Sequence, residues 1–152
     1  MYNIVLNVKG NREGYTQSYD AGYGIYMDDG VHNVNIQYNT ISSCSHGVFL
    51  HINGKINVQY NQISDCLIGL LAGGEHEKSY IYNNTVYAFN RPGDVVWWKN
   101  SHQRMTKNDG ASPVYENNKY LHRHASEKQF NNSYSFPQWK SATGQDKNST
   151  FD

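Results

Sequence analysis

Asp28, Asp29 and His51 stand at fixed offsets from repeated glycines, and they carry the chemistry that this chain offers. Gly24-Ile25-Tyr26-Met27 leads into Asp28-Asp29-Gly30, and Gly47-Val48-Phe49-Leu50 leads into His51. A third run, Gly69-Leu70-Leu71-Ala72, leads into Gly73-Gly74 and then Glu75-His76-Glu77. Aligned on their first glycines, the runs set Asp28, His51 and Gly73 at one level, with carboxylate and imidazole in adjacent repeats. Such parts suit glycosidic chemistry. One carboxylic acid protonates the leaving oxygen, and a second carboxylate acts as nucleophile or base. Asp28 and Asp29 are the pair for those roles, with His51 orienting or polarising Asp28. Tyr26, Phe49 and Trp98 supply rings that stack on the C–H faces of a sugar. Glu75 lies at the rim, and Gly73 and Gly74 leave room for a ligand. Each feature also has an ordinary reading. Asp-Asp-Gly is a common turn, and an apolar row of Tyr26, Phe49 and Leu71 is commonly covered by a loop. Glu75-His76-Glu77 suits a solvated loop. His122-Arg123-His124 lacks a Cys or Asp frame, so no metal site is assigned.

The elements that must position these residues come from a repeat. Tyr38-Asn39-Thr40-Ile41-Ser42-Ser43-Cys44 returns 22 residues later as Tyr60-Asn61-Gln62-Ile63-Ser64-Asp65-Cys66, and Tyr82-Asn83-Asn84 begins a fainter third copy. A fixed period of this length marks a supersecondary unit stacked on itself. Short runs such as Val34-Asn35-Ile36-Gln37-Tyr38 alternate apolar and polar residues in strand fashion. The leucine-rich frame is absent. The reading is an all-β, right-handed parallel β-helix with about three strands per coil and coils ~4.8 Å apart. Asn39, Asn61 and Asn83 then form an internal ladder, and Cys44 stacks on Cys66. That spacing falls within disulfide range, but same-residue stacking is ordinary packing, and the pair reads as buried thiols. Ile25, Met27, Val34, Ile36, Ile41, Val48, Leu50, Ile56, Val58, Ile63 and Leu70 are the expected core. Tyr26, Phe49 and Leu71 face outward.

One domain of 152 residues is expected, divided into a partial first coil (1–9), an inserted loop (10–23), the coils (24–120) and a C-terminal tail or cap (121–152). A short helix is expected around Phe136–Ala142, ended by Gly144. Thirteen basic and thirteen acidic residues balance to zero net charge, which lacks the basic footprint of a nucleic-acid binder. No apolar stretch is long enough to span a membrane and no signal peptide is present. The chain opens on Tyr2-Asn3-Ile4-Val5, which resembles the Tyr-Asn-x-Ile marker of the later coils. The expectation is therefore the C-terminal part of a longer helix, or an open end covered by a second copy of the chain.

The segment Gly24 to Gly30, followed by Asn39-x-Ile41 and Gly47 to His51, resembles the coils of pectate-lyase-like right-handed β-helix proteins, above all the bacterial group containing glycoside hydrolase family 141. The terminal Trp139-x-x-x-Thr143-Gly144-x-Asp146-x-Asn148-Ser149 is similar to a segment near the C-terminal end of such chains. The resemblance implies a secreted, periplasmic or cell-surface protein that acts on a polysaccharide or oligosaccharide, without a cofactor if it is a hydrolase. A lyase is the nearest enzymatic rival and would bring Ca²⁺ or Arg/Lys to a uronate carboxylate. A non-catalytic glycan-binding, adhesin or structural β-helix segment is the rival from another class.

Overall fold

The structure is a computed structural model. It describes residues 2–8, 10, 22–51, 54–66, 68–73, 79–88, 101–105, 113–122, 130 and 134–152. Strands are short because Gly, Asn and Ser interrupt every apolar run, and they come three to a coil. The first coil holds β1 (Ile4–Leu6), β2 (Tyr23–Met27) and β3 (Asn35–Gln37). The second holds β4 (Thr40–Ser42), β5 (His46–His51) and β6 (Asn57–Gln59). Next come β7 (Gln62–Ser64), β8 (Ile68–Gly73) and β9 (Tyr80–Tyr82), then β10 (Thr85–Ala88), β11 (Ser101–Met105) and β12 (Val114–Glu116). The chain ends with β13 (Lys119–His122), helix α1 (Phe136–Thr143) and β14 (Thr150–Phe151). Each strand pairs in parallel with its counterpart one coil on. The three sheets run β1-β4-β7-β10-β13-β14, β2-β5-β8-β11 and β3-β6-β9-β12. This is the topology of an all-β parallel β-helix. No helix among the described residues is long and apolar enough to cross a membrane.

Single residues in left-handed backbone turn the corners between the third and first sheets: Tyr38, Tyr60, Asn83 and Asn117, with φ between 53 and 59°. Tyrosine pays a steric cost there. Ring stacking offsets it, since Tyr38 and Tyr60 lie 5.1 Å apart and nearly parallel. Directly after each corner comes the asparagine of the ladder. The Oδ1 of Asn61 accepts from the backbone N–H and Nδ2 of Asn39, each at 2.9 Å. The same two groups of Asn61 donate to Asn84 Oδ1, both at 3.0 Å. Asn84 donates in turn to Asn118 Oδ1 at 3.0 and 3.1 Å. The third rung is therefore Asn84, and the expectation of Asn83 is corrected. The step from β6 to β9 is 23 residues, with Asn57 opposite Tyr80. The extra residue moves Asn83 onto the corner that Tyr60 occupies one coil earlier. At the first coil Asn3 joins the ladder, donating from its backbone N–H and Nδ2 to Asn39 Oδ1.

Inside, Ile36, Ile41, Val48, Leu50, Ile56, Val58, Ile63 and Leu70 are buried. Ile25, Met27 and Val34 were expected to match them but are half-buried against the core. Ile25 and Met27 lie in β2 and Val34 directly precedes β3, the end strands of their sheets, so among the described residues no coil stacks on their far side. Leu71, expected to face outward in a row that a loop commonly covers, is buried at 9 % exposure. Strand β11 runs beside it with Arg104 in register. Cys44 and Cys66 are buried free thiols, each donating to the carbonyl two residues earlier.

The glycines at the second position of the second-sheet strands permit close approach of coils. A Cβ on Gly47 would lie 2.5 Å from both Gly69 O and Ile63 Cγ2. Gly47→Ala should therefore cost about 1–3 kcal/mol through overpacking, measured as a lowered denaturation midpoint. An unchanged midpoint would show that the coils can separate freely there.

Helix α1 extends over Phe136–Thr143, one residue beyond the expected end, and Gly144 closes it in left-handed backbone (φ 68°). The terminal segment that resembles other β-helix chains closes the ladder. Asp146 is fully buried. Its carboxylate accepts from Trp139 Nε1 at 2.9 Å, Ser149 Oγ at 2.6 Å, Tyr120 OH at 3.1 and 3.2 Å and Asn118 Nδ2 at 3.2 Å. Ser149 Oγ in turn accepts the Asn118 backbone N–H. The last rung is thereby satisfied without a further coil.

Candidate functional site

The second sheet aligns the chemistry. Tyr26 pairs with Phe49 in register, and His51 pairs with Gly73. Continuing the register by two residues brings Asp28 beside His51. The His51 Nδ1 lies 3.3 Å from Asp28 Oδ1 and 2.7 Å from Asp29 Oδ1. The three donor atoms lie within 4.8 Å of one another. Asp28 also accepts from the Tyr26 hydroxyl at 2.7 Å. Both carboxylates are well exposed, and His51 is about half as exposed. Gly73 leaves the next rung without a side chain beside His51.

The Tyr26 hydroxyl, then the Asp29 backbone N–H, hold the Asp28 carboxyl below its usual range. Partial burial and the neighbouring Asp28 push the Tyr26 phenol far up. Asp28 is thus ionised under ordinary conditions, which fits a nucleophile, base or cation partner and not a proton donor. The folded form gains from this ionisation above the ordinary carboxylate range and loses the gain as pH falls through the lowered value. Tyr26→Phe should raise the Asp28 titration midpoint toward that of a free aspartate, followed by carboxyl-carbon NMR. A midpoint that stays put would assign the effect to the backbone N–H.

Beside this cluster lies a ring group. Tyr26 stacks on Phe49 at 5.0 Å and on Tyr23 at 4.9 Å, and Tyr23 sits 5.4 Å from Phe49. His46 stands 5.1 Å from Tyr23. Asp28, Asp29, His51, Tyr26 and Phe49 are therefore brought to one outer face. Glu75 and Trp98 lie outside the described residues. Tyr23 and His46 were not singled out from the sequence. Their signal was available, since each immediately precedes a repeated glycine, at Gly24 and Gly47. The closer contact of His51 with Asp29 than with Asp28 was also not expected.

The stacked parallel coils, their asparagine ladder and an outer face bearing rings and carboxylates define a parallel β-helix repeat protein. Residues 3–117, about three quarters of the chain, match the family model described as "Periplasmic copper-binding protein (NosD)", and the chain belongs to that family. No curated protein and no solved structure matches it.

Proposed function

We propose that the outer face of β2 and β5 engages a polysaccharide or oligosaccharide outside the cytoplasm, and that the carboxylate pair hydrolyses it. The observation that carries this reading is the Tyr23–Tyr26–Phe49 ring group directly beside Asp28, His51 and Asp29. Rings bind the C–H faces of sugars, and carboxylates take the hydroxyls and the developing positive charge. Asp28, kept ionised, is the nucleophile. Asp29, 2.7 Å from His51 Nδ1, is the second carboxylate of the pair. Donor atoms within 4.8 Å suit a retaining displacement better than the ~6.5–9.5 Å that an inverting water requires. The periplasmic description of the family and the resemblance to glycoside hydrolase family 141 support the compartment and the substrate class. The test is an oligosaccharide panel with the longest natural form of the protein. Asp28→Asn should abolish cleavage and leave the melting temperature nearly unchanged. Unchanged turnover removes Asp28 from the chemistry, and binding without turnover in the unaltered protein makes this face an adhesin-type surface.

A second reading is favoured by the same three donor atoms together with the copper in the family's description. One imidazole nitrogen and two carboxylate oxygens suit Cu(II) better than Ca²⁺, which prefers oxygen alone. Asp28, Asp29 and His51 would hold the ion, whereas the buried thiols of Cys44 and Cys66 face the core. Cu(II) titration followed by electron paramagnetic resonance tests it. Nitrogen coupling that disappears in His51→Ala supports the site, and coupling that persists places copper elsewhere.

A further inference from the structure

We infer that the sugar selected by this face carries a free amine, as a glucosamine unit of a de-N-acetylated glycan does; this inference rests on the glycan reading above. Charge is the first reason. Among the described residues, the ion-pair partner of Asp28 and Asp29 is His51, and no Lys or Arg pairs with either. Two carboxylates with no Lys or Arg partner among the described residues repel uronate and sulfated sugars and attract a cationic one. Geometry is the second. His51 Nδ1 sits between Asp28 Oδ1 and Asp29 Oδ1 at 3.3 and 2.7 Å, holding the two carboxylates convergent. Each carboxylate has about four acceptor positions, so both keep capacity for an incoming donor. An ammonium group presents three N–H donors and bonds both carboxylates at once, in short charge-assisted bonds. The third reason is the ring group. Tyr26, 38 % exposed, stands next to Asp28, where a ring can meet both the sugar C–H face and the ammonium. Gly73, in register with His51, brings no side chain of its own to the adjoining rung.

The experiment is calorimetric titration in chelator-containing buffer with three oligosaccharides of equal length: a glucosamine oligomer, its fully N-acetylated form and a uronate oligomer. The glucosamine oligomer should bind about tenfold or more tighter than the N-acetylated one. That advantage should shrink as salt is raised, and the uronate oligomer should bind weakest. In Asp28→Asn/Asp29→Asn the ratio of the first two affinities should fall to about one. Equal binding of the amine and N-acetyl forms by the unaltered protein overturns the amine inference and leaves the glycan reading standing. A preference for the uronate also overturns it. Binding of none of the three sugars overturns the amine inference, and failure of the wider oligosaccharide panel then removes the glycan reading as well.

Discussion

Asp146→Ala should remove on the order of 5 kcal/mol of stability, enough to unfold a chain of ordinary stability in mild denaturant. The substitution leaves four buried donors facing one another: Trp139 Nε1–H, Tyr120 O–H, Ser149 O–H and Asn118 Nδ2–H. Each stranded donor costs about 1–3 kcal/mol, because water cannot replace the lost acceptor. The damage spreads, since Asn118 is the ladder's last rung and Ser149 holds its backbone N–H. Asp146→Asn keeps the shape and one carbonyl oxygen, but it turns an amide N–H toward existing donors. It should therefore cost less than alanine and still be measurable. Denaturant midpoints check both, and a loss below about 1 kcal/mol for alanine would show that Asp146 is not the acceptor that closes the ladder.

Asn84→Ala should cost about 4 kcal/mol or more, whereas Asn83→Gly should change stability by less than about 0.5 kcal/mol. The Oδ1 of Asn84 accepts two bonds from Asn61. Its Nδ2 donates to Val58 O and Asn118 Oδ1. Alanine strands groups on three coils at once. Asn83 instead occupies a left-handed corner (φ 56°), and its backbone N–H bond to Glu116 O survives substitution. Glycine adopts that conformation without steric cost. If the two effects exchange places, the register of the third coil is wrong by one residue.

The site shows how far residue order reaches. Asp28 meets His51 because two glycine-led strands share a register, and that register is written in the recurrence of Gly24 and Gly47. Asp29 breaks the strand rule. It lies past the end of β2 in a turn, and alternation does not say where its carboxylate points. Its 2.7 Å contact with His51 is set by the path of that turn. Tyr23 and His46 escape alternation for a related reason. Coils approach too closely at Gly24 and Gly47 for any side chain, so the residues on either side of each glycine do not keep simple in-and-out order.

The sequence by itself determined the parallel coils, the inward row from Ile36 to Leu70 and the stacking of Asn39 on Asn61. A repeat returns equal residues to equal places, and period-two alternation sends one row inward. Only the tertiary structure decided that Asn84 carries the ladder onward, because the one-residue lengthening before β9 follows from strand pairing and not from the marker Tyr82-Asn83. Stacking alone also settled the half-burial of Ile25, Met27 and Val34. Their residue types match those of the buried rungs, and the difference is that among the described residues a neighbouring coil stands on one side only. The terminal Trp139-to-Ser149 segment was visible as a motif, but its role was not. Four donors, from β13, α1 and the residues just before β13 and β14, meet on Asp146 only when the last coils are folded, since a buried carboxylate is tolerable only where its hydrogen bonds converge.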